Sequence, residues 1–220
     1  MALPTDPDLV LDHLVIGTPD LARTVAAFHA ATGIEPVFGG NHPGRGTRNY
    51  LVGLGERQYL ELIGINPDDP VAEADLFFGL GDCTEPEFRT WAVRTDDLDR
   101  AIPTLRAAGL LVGEPMTGSR GLPDGSVLNW RLTDPLPEPT GIHPFLIEWG
   151  DSHPASSGSL PEVELVRLIV RHPQAAEFER SLRTAGLQID VDPGPPEAAA
   201  TIRTPKGTIT LDRDLLSRLR

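Results

Sequence analysis

Leu11-Asp12-His13-Leu14-Val15-Ile16-Gly17-Thr18-Pro19-Asp20-Leu21 decides the fold, because its pattern returns. Phe88-Arg89-Thr90-Trp91-Ala92-Val93-Arg94-Thr95-Asp96-Asp97-Leu98 matches it at an offset of 77 residues (95 − 18). The apolar run Val10 to Ile16 predicts a strand, with Leu11, His13 and Val15 on one face and Asp12, Leu14 and Ile16 on the other. Thr18 reads as a helix N-cap, with Pro19 at the first helical position. Leu21, Val25 and Phe28 then form one apolar helical face, and Gly33 stops the helix. In the second copy Ile102 and Leu105 take the places of Val25 and Phe28, and Gly109 ends the helix. A third copy follows the linker 153–159. Leu165 to Val170 reads as a strand, Pro173 lies at twice the offset from Pro19, Phe178 and Leu182 mark a helix, and Gly186 ends it.

An internal repeat outranks other fold signals. It predicts that 9–33, 86–110 and 163–187 are equivalent strand–helix units. After the first helix come a glycine-rich stretch, Gly39 to Thr47, and strand-like Arg48 to Val52 and Tyr59 to Ile63. After the second come strands at Val127 to Leu132 and Pro144 to Trp149, separated by the proline-rich loop 134–139. Thr201 to Leu211 reads as a hairpin. The fold class expected is α+β: tandem βαβββ modules at 9–64 and 87–152, a connector at 65–86, and a partial third βαββ repeat at 160–220 packed on the same domain. The third copy has no His or acid on its first strand, so its expected role is to cover a sheet edge. Leu76, Phe77 and Phe78 should fold the connector over the mouth or back of the sheet, because they need burial.

Composition narrows the function. A formal net charge of -13 argues against nucleic acid and anionic membranes as partners. No apolar run approaches the ~20 residues that span a bilayer, and the first residues lack a signal-peptide pattern, so a cytoplasmic location is expected. With Cys83 as the single cysteine there is no internal disulfide framework and no cysteine-ligated zinc site. Cys83 has no basic neighbour to activate it, and no serine lies in a nucleophile elbow.

What remains is a polar residue inside an apolar strand at each end of the first module. His13 sits among Leu11, Leu14, Val15 and Ile16; Glu61 sits among Leu60, Leu62 and Ile63. Each costs several kcal/mol to bury unless partnered, and a shared metal ion is one such partner. A core histidine bonded to a carbonyl is the other reading of His13. In the glycine-rich stretch His42, Arg45, Arg48 and Asn49 are candidate substrate-binding side chains; an exposed hairpin loop is the alternative. His143 and His153, before prolines, read as surface residues, and Trp130 and Trp149 read as core.

These stretches, with Gly46-Thr47-Arg48-Asn49-Tyr50-Leu51, Tyr59-Leu60-Glu61-Leu62-Ile63-Gly64 and His143-Pro144-Phe145-Leu146-Ile147-Glu148-Trp149-Gly150, carry a family likeness. The chain resembles the vicinal oxygen chelate superfamily, and within it the glyoxalase-like domain proteins. The resemblance implies a curved mixed sheet around a cup, with a divalent metal held by residues on the first and last strands of each module. By position these are His13, Glu61, Thr90 and Glu148. Thr90 stands where a second histidine or an acid often falls, so the implied metal set is His13, Glu61 and Glu148. Thr90 joins the substrate-binding candidates, and Glu61 or Glu148 doubles as the catalytic base. One imidazole and two carboxylates suit Zn, Ni, Mn or Fe. The implied function is a lyase, isomerase or dioxygenase acting on a small molecule with vicinal oxygens. The alternative is a metal-free protein that binds or sequesters a small molecule in the same cup. A small-molecule ligand is the expected partner, and the reading leaves room for a homodimer.

Overall fold

A computed structural model describes residues 9–55, 57–73, 76–121, 125–135, 140–152 and 160–219. The linker 153–159, with His153, and loop residues 136–139 lie outside these. The chain begins with β1 (Val10–Thr18), α1 (Leu21–Thr32), β2 (Val37–His42), β3 (Thr47–Gly55) and β4 (Gln58–Ile65). After the connector follow β5 (Glu87–Arg94), α2 (Leu98–Ala107), β6 (Pro115–Gly121), β7 (Val127–Thr133) and β8 (Pro144–Glu148). The last part holds β9 (Glu164–His172), α3 (Ala175–Thr184), β10 (Asp190–Pro193), β11 (Glu197–Thr204), β12 (Gly207–Leu211) and α4 (Arg213–Leu216).

The first eight strands close into a mixed barrel in the order β1-β4-β3-β2-β6-β7-β8-β5. Its two halves have the same pairing order, with β1 parallel to β4 and β5 parallel to β8. They meet where β1 pairs antiparallel with β5, and where β2 pairs with β6. The last part forms a separate sheet, β10-β9-β11-β12. Here β9 lies between β10, its parallel partner, and antiparallel β11, so the pairing differs from that in the barrel halves. This corrects the expected βαββ unit: it has a fourth strand, β10. It also corrects the expected edge-covering role, because a closed barrel presents no edge to cover.

Two apolar layers hold the molecule. Outside the barrel, Leu14, Ile16, Leu60 and Trp91 pack with helix residues Phe28, Leu98 and Leu105, and with Val170, Phe178 and Ile202 of the last part, in one continuous core. Inside the barrel, Val15, Ile63, Ala92, Phe145 and Ile147 pack with Leu76, Phe78 and Leu80 of the connector. Helix α1 is capped two residues later than expected: Asp20 accepts from the Arg23 N–H at 3.1 Å. Thr18 closes β1, and its hydroxyl accepts from the Asp20 N–H. Gly33 ends α1 with φ 79°, a left-handed conformation that needs glycine.

Candidate functional site

The barrel interior holds a cavity of about 30 Å³, room for an ion or a water or two. Its polar lining is His13, His42, Asn49, Tyr59, Glu61 and Arg120; aromatic walls come from Phe77, Phe78, Trp130, Phe145 and Trp149. Trp149 lies in the inner core as expected, with Trp130 packed against it, and both also line the cavity.

His13 is fixed on every side. Its ring stacks on Tyr59 (centroids 4.5 Å, 16° between planes), and Phe145 meets it edge-on at 5.4 Å. Its Nδ1 lies 2.7 Å from Asp12 Oδ1. Simple alternation puts Asp12 on the opposite face of β1. A bulge between Leu11 and His13, opposite Val93 and Ala92 of β5, skips Asp12 in the pairing and lets it reach the same region. Fully buried, Asp12 also accepts from Trp149 Nε1 at 3.1 Å and from Arg94 Nη1 at 3.3 Å. Asp12 thus acts as an acceptor toward Trp149 and Arg94, and the same role toward His13 Nδ1 leaves Nε2 as the ring nitrogen turned to Glu61 across the cavity. Glu61 Oε2 stands 3.7 Å from that nitrogen.

His42, on β2, approaches Glu61 from the other side, with Nε2 at 3.9 Å from Oε1. Its Nδ1 is engaged with Thr47 Oγ1 at 2.9 Å. Burial pushes its pKa down to about 4, against the pull of Glu61, so the ring is neutral at physiological pH. Asn49 Nδ2 donates to Glu61 Oε1 at 2.5 Å and holds the carboxylate in place. Burial, with Asp12 next, raises the Tyr59 phenol well above its usual pKa, so it stays a neutral donor.

Strands β2 and β6 escaped the sequence reading, and Arg120, on β6, escaped with them. Their glycines erase the strand signal, yet those glycines make the site. A Cβ on Gly39 would collide with Asn49 Oδ1 and Leu51, and one on Gly40 would lie 2.8 Å from Arg120 Cγ. The Gly39-Gly40 pair thus seats two cavity side chains rather than cradling a ligand itself.

The connector forms one wall of the cavity. Leu76 and Phe78 are buried, and Phe77 and Phe78 line the cavity. Phe78 adopts φ 57°, a left-handed conformation costly for a bulky residue. Arg89 on β5 holds it there, donating to Phe78 O and Gly79 O at 2.8 Å each, while Glu87 pairs with the same guanidinium. Cys83 is no nucleophile: burial pushes its thiol up to about 12.

The cavity brings His13, Glu61, His42 and Asn49 together. It does not include the other predicted residues. Glu148 is a correction. Phe145, Ile147 and Trp149 face the cavity, so alternation turns Glu148 outward, where its Oε2 accepts from the Leu98 N–H at the start of α2 (3.0 Å) and from Arg131 (3.2 Å). Arg48 alternates with Asn49 and so lies on the opposite face of β3, with Tyr50, which packs against the outer core. Arg45 lies in the β2–β3 turn with its guanidinium 5.1 Å from the Phe77 ring centroid and does not line the cavity. Thr90 is buried opposite Val15, but its hydroxyl donates to His143 O at 3.1 Å and does not line the cavity. His143 is not a plain surface residue: it is half-buried, meets Phe178 edge-on, and its Nδ1 accepts from the Leu111 N–H.

The family model for the glyoxalase-like domain matches residues 11–186, most of the chain. The chain belongs to the glyoxalase-like domain family. That places it in the vicinal oxygen chelate superfamily. Among solved structures, this glyoxalase-like chain is similar to a hypothetical protein from Staphylococcus aureus (16% identity, TM-score 0.60, covering 93% of this chain and 86% of that one). It is also similar to the Mn(II)-bound glyoxalase from Novosphingobium aromaticivorans (12% identity, TM-score 0.50, covering 93% and 84%). Methylmalonyl-CoA epimerase from Mycobacterium tuberculosis matches at 22% identity and TM-score 0.39, over 67% of this chain and 92% of that one. No curated protein sequence matches significantly. The first two likenesses show the fold, and the second of those structures is Mn(II)-bound.

The residues here can be tested against such an ion. Two imidazole nitrogens and a carboxylate face one another, and the far nitrogen of each ring is already engaged. This is a donor set for a divalent transition metal, and the carboxylate behind His13 is the support that metal-bound histidines usually have. The separations of 3.7 and 3.9 Å exceed the ~3 Å between donors around one ion. Accordingly, no group of three His, Cys, Asp or Glu among the described residues is placed to hold a metal ion. The donor types suit a divalent transition metal and all three come from the first barrel half, but as placed they stand too far apart to share one ion.

Proposed function

We propose that this protein is a metal-dependent enzyme acting on a small molecule with vicinal oxygens, with His13, His42 and Glu61 as the metal-binding side chains. The observation that carries the reading is the convergence of His13 Nε2, His42 Nε2 and the Glu61 carboxylate in one buried cavity. Zn, Ni, Mn and Fe all accept such a set. When bound, the metal would supply Lewis-acid polarisation of a substrate oxygen. The chain supplies the rest. Asp12 sets the His13 tautomer and ring plane. Asn49 holds one Glu61 oxygen. The other Glu61 oxygen is the base for a proton beside the polarised carbonyl, which favours isomerase or lyase chemistry. Phe77 and Phe78 keep water from that proton. The tandem-module origin of the barrel, with the last part a diverged third copy, belongs to the same proposal and rests on the 77-residue offset and the matched pairing orders.

A metal-free binding protein is the second reading. One observation favours it: the second half of the barrel contributes neither Thr90 nor Glu148 to the cavity. Elemental analysis after loading with Mn(II) or Zn(II) separates the two. Wild type should hold about one ion per chain, His13→Ala and Glu61→Ala should hold none, and Glu148→Gln should hold as much as wild type. The last variant can still accept from the Leu98 N–H and loses only the ionic part of its contact with Arg131, so its stability should fall by less than ~1 kcal/mol. Wild type that takes up no ion establishes the metal-free reading.

A further inference from the structure

Arg120 has no task in this scheme, and its setting calls for one. It is only 4% exposed and lines the cavity. Its Nε is fully buried with no hydrogen-bond partner. The other comparably buried arginine, Arg89, uses its guanidinium on two carbonyls and Glu87. No carboxylate among the described residues lies within 4 Å of Arg120. A buried cation left in this state costs several kcal/mol, and chains retain one when something from outside completes it. The fold also makes room for it, since Gly40, at φ 147°, leaves space for the Arg120 stem that any Cβ would take.

We infer that Arg120 is the receptor for a carboxylate on the substrate, which makes the substrate class a short 2-oxo or 2-hydroxy acid. This rests on the proposed function for the vicinal oxygen beside the carboxylate, and on Arg120 alone for the charge. A guanidinium presents a planar fork of donors that matches a carboxylate. The cavity is small and walled by Trp130, Trp149 and Phe145, so the acid is compact. Glu61, on the same cavity, repels an anion unless a metal or Arg120 offsets it; the arginine thus anchors the acid group and leaves the adjacent oxygen toward His13 and His42.

The test uses chelated, metal-free protein, so that its outcome is independent of the metal reading. Trp130 and Trp149 report occupancy by fluorescence, and calorimetry measures affinity. Probes are pyruvate and glycolate, the neutral analogue hydroxyacetone, and inorganic phosphate. Wild type should bind both acids in competition with each other and bind hydroxyacetone and phosphate more weakly. Arg120→Met should weaken acid binding roughly ten- to hundredfold, the size of one charge-assisted hydrogen bond, and Arg120→Lys should retain part of it. Arg120→Met should also keep its metal uptake and melt at or above the wild-type temperature, because an unpaired buried charge has gone. Equal acid binding by wild type and Arg120→Met overturns the inference. So does a preference for hydroxyacetone or phosphate, or a marked loss of thermal stability in Arg120→Met with binding intact, which would show that the arginine is structural.

Discussion

Asp12 shows how much one residue can decide. Its carboxylate gathers the His13 imidazole, the Trp149 indole and the Arg94 guanidinium, and so ties β1 to β5 and to the end of β8. Changing it to asparagine keeps the shape, but the side chain can then donate to the His13 Nδ1 position and invert the tautomer. Asp12→Asn should therefore lower divalent-metal affinity ~10–100-fold, the usual cost of losing such support, with the barrel intact. Competition against a metallochromic indicator measures this, and near-ultraviolet circular dichroism checks the fold. His13 and Glu61 were visible in the sequence because a polar residue stands out in an apolar strand. Asp12 stood beside His13 in plain view, yet strict alternation assigned it to the wrong face, and only the bulge explains its place. Glu148 failed for the complementary reason: it looks like Glu61 in its strand, but its alternation runs the other way.

Among the elements, the connector is the one whose behaviour matters most. Its apolar residues announced that it had to be buried, and the structure puts Phe77 and Phe78 in the cavity wall. What the sequence did not reveal is that Phe78 is held in a left-handed backbone conformation by Arg89, reached from a strand in the other half of the barrel. A cavity of about 30 Å³ is tight for an acid of three carbons, so this segment should shift when one binds. Arg89→Ala removes the two carbonyl contacts and should loosen the segment while leaving the cavity residues in place. Limited proteolysis should then cut faster within 76–83 than in wild type, and pyruvate should associate faster in stopped-flow fluorescence. Unchanged cleavage and association would mean that the segment is not held through Arg89. Strands β2 and β6 were illegible for a physical reason as well. They need glycine exactly where the cavity side chains pass, and glycine is what a strand pattern lacks.

For the whole molecule, the two barrel halves and the last part share one outer core, so acid should act on all of it together. His143 joins the second half to the last part: its ring meets Phe178 of α3, and its Nδ1 accepts from the Leu111 N–H, which only a neutral ring can do. Burial, with His172 nearby, holds its pKa down at about 4, and burial holds His42 there too. Both folded values lie below the unfolded ~6.5. The unfolded chain therefore binds more protons between pH 6.5 and 4, and stability falls as pH drops through that window. Urea melts from pH 7 to 4 should show this loss, and His143→Gln, which can still accept from Leu111, should flatten the slope. An identical slope in the variant would remove His143 from the account. The strand–helix units were legible because their apolar periodicity and helix-ending glycines are local. The separate pairing of the last sheet was not, since strand order is set by long-range contacts.

Among the described residues, a barrel that closes on itself leaves unpaired ladder only beside the single Asn41–Gly121 pair at its β2–β6 seam, so the longer open edges are the two flanks of the small sheet. The β10 flank is guarded: Asp190, Asp192 and Pro193 set charge and a missing donor against any incoming strand. The β12 flank, Gly207 to Leu211, is short and carries no charge, and is followed at once by Asp212 and α4. On the small sheet, strand-to-strand association should therefore begin along Thr208, Ile209 and Thr210.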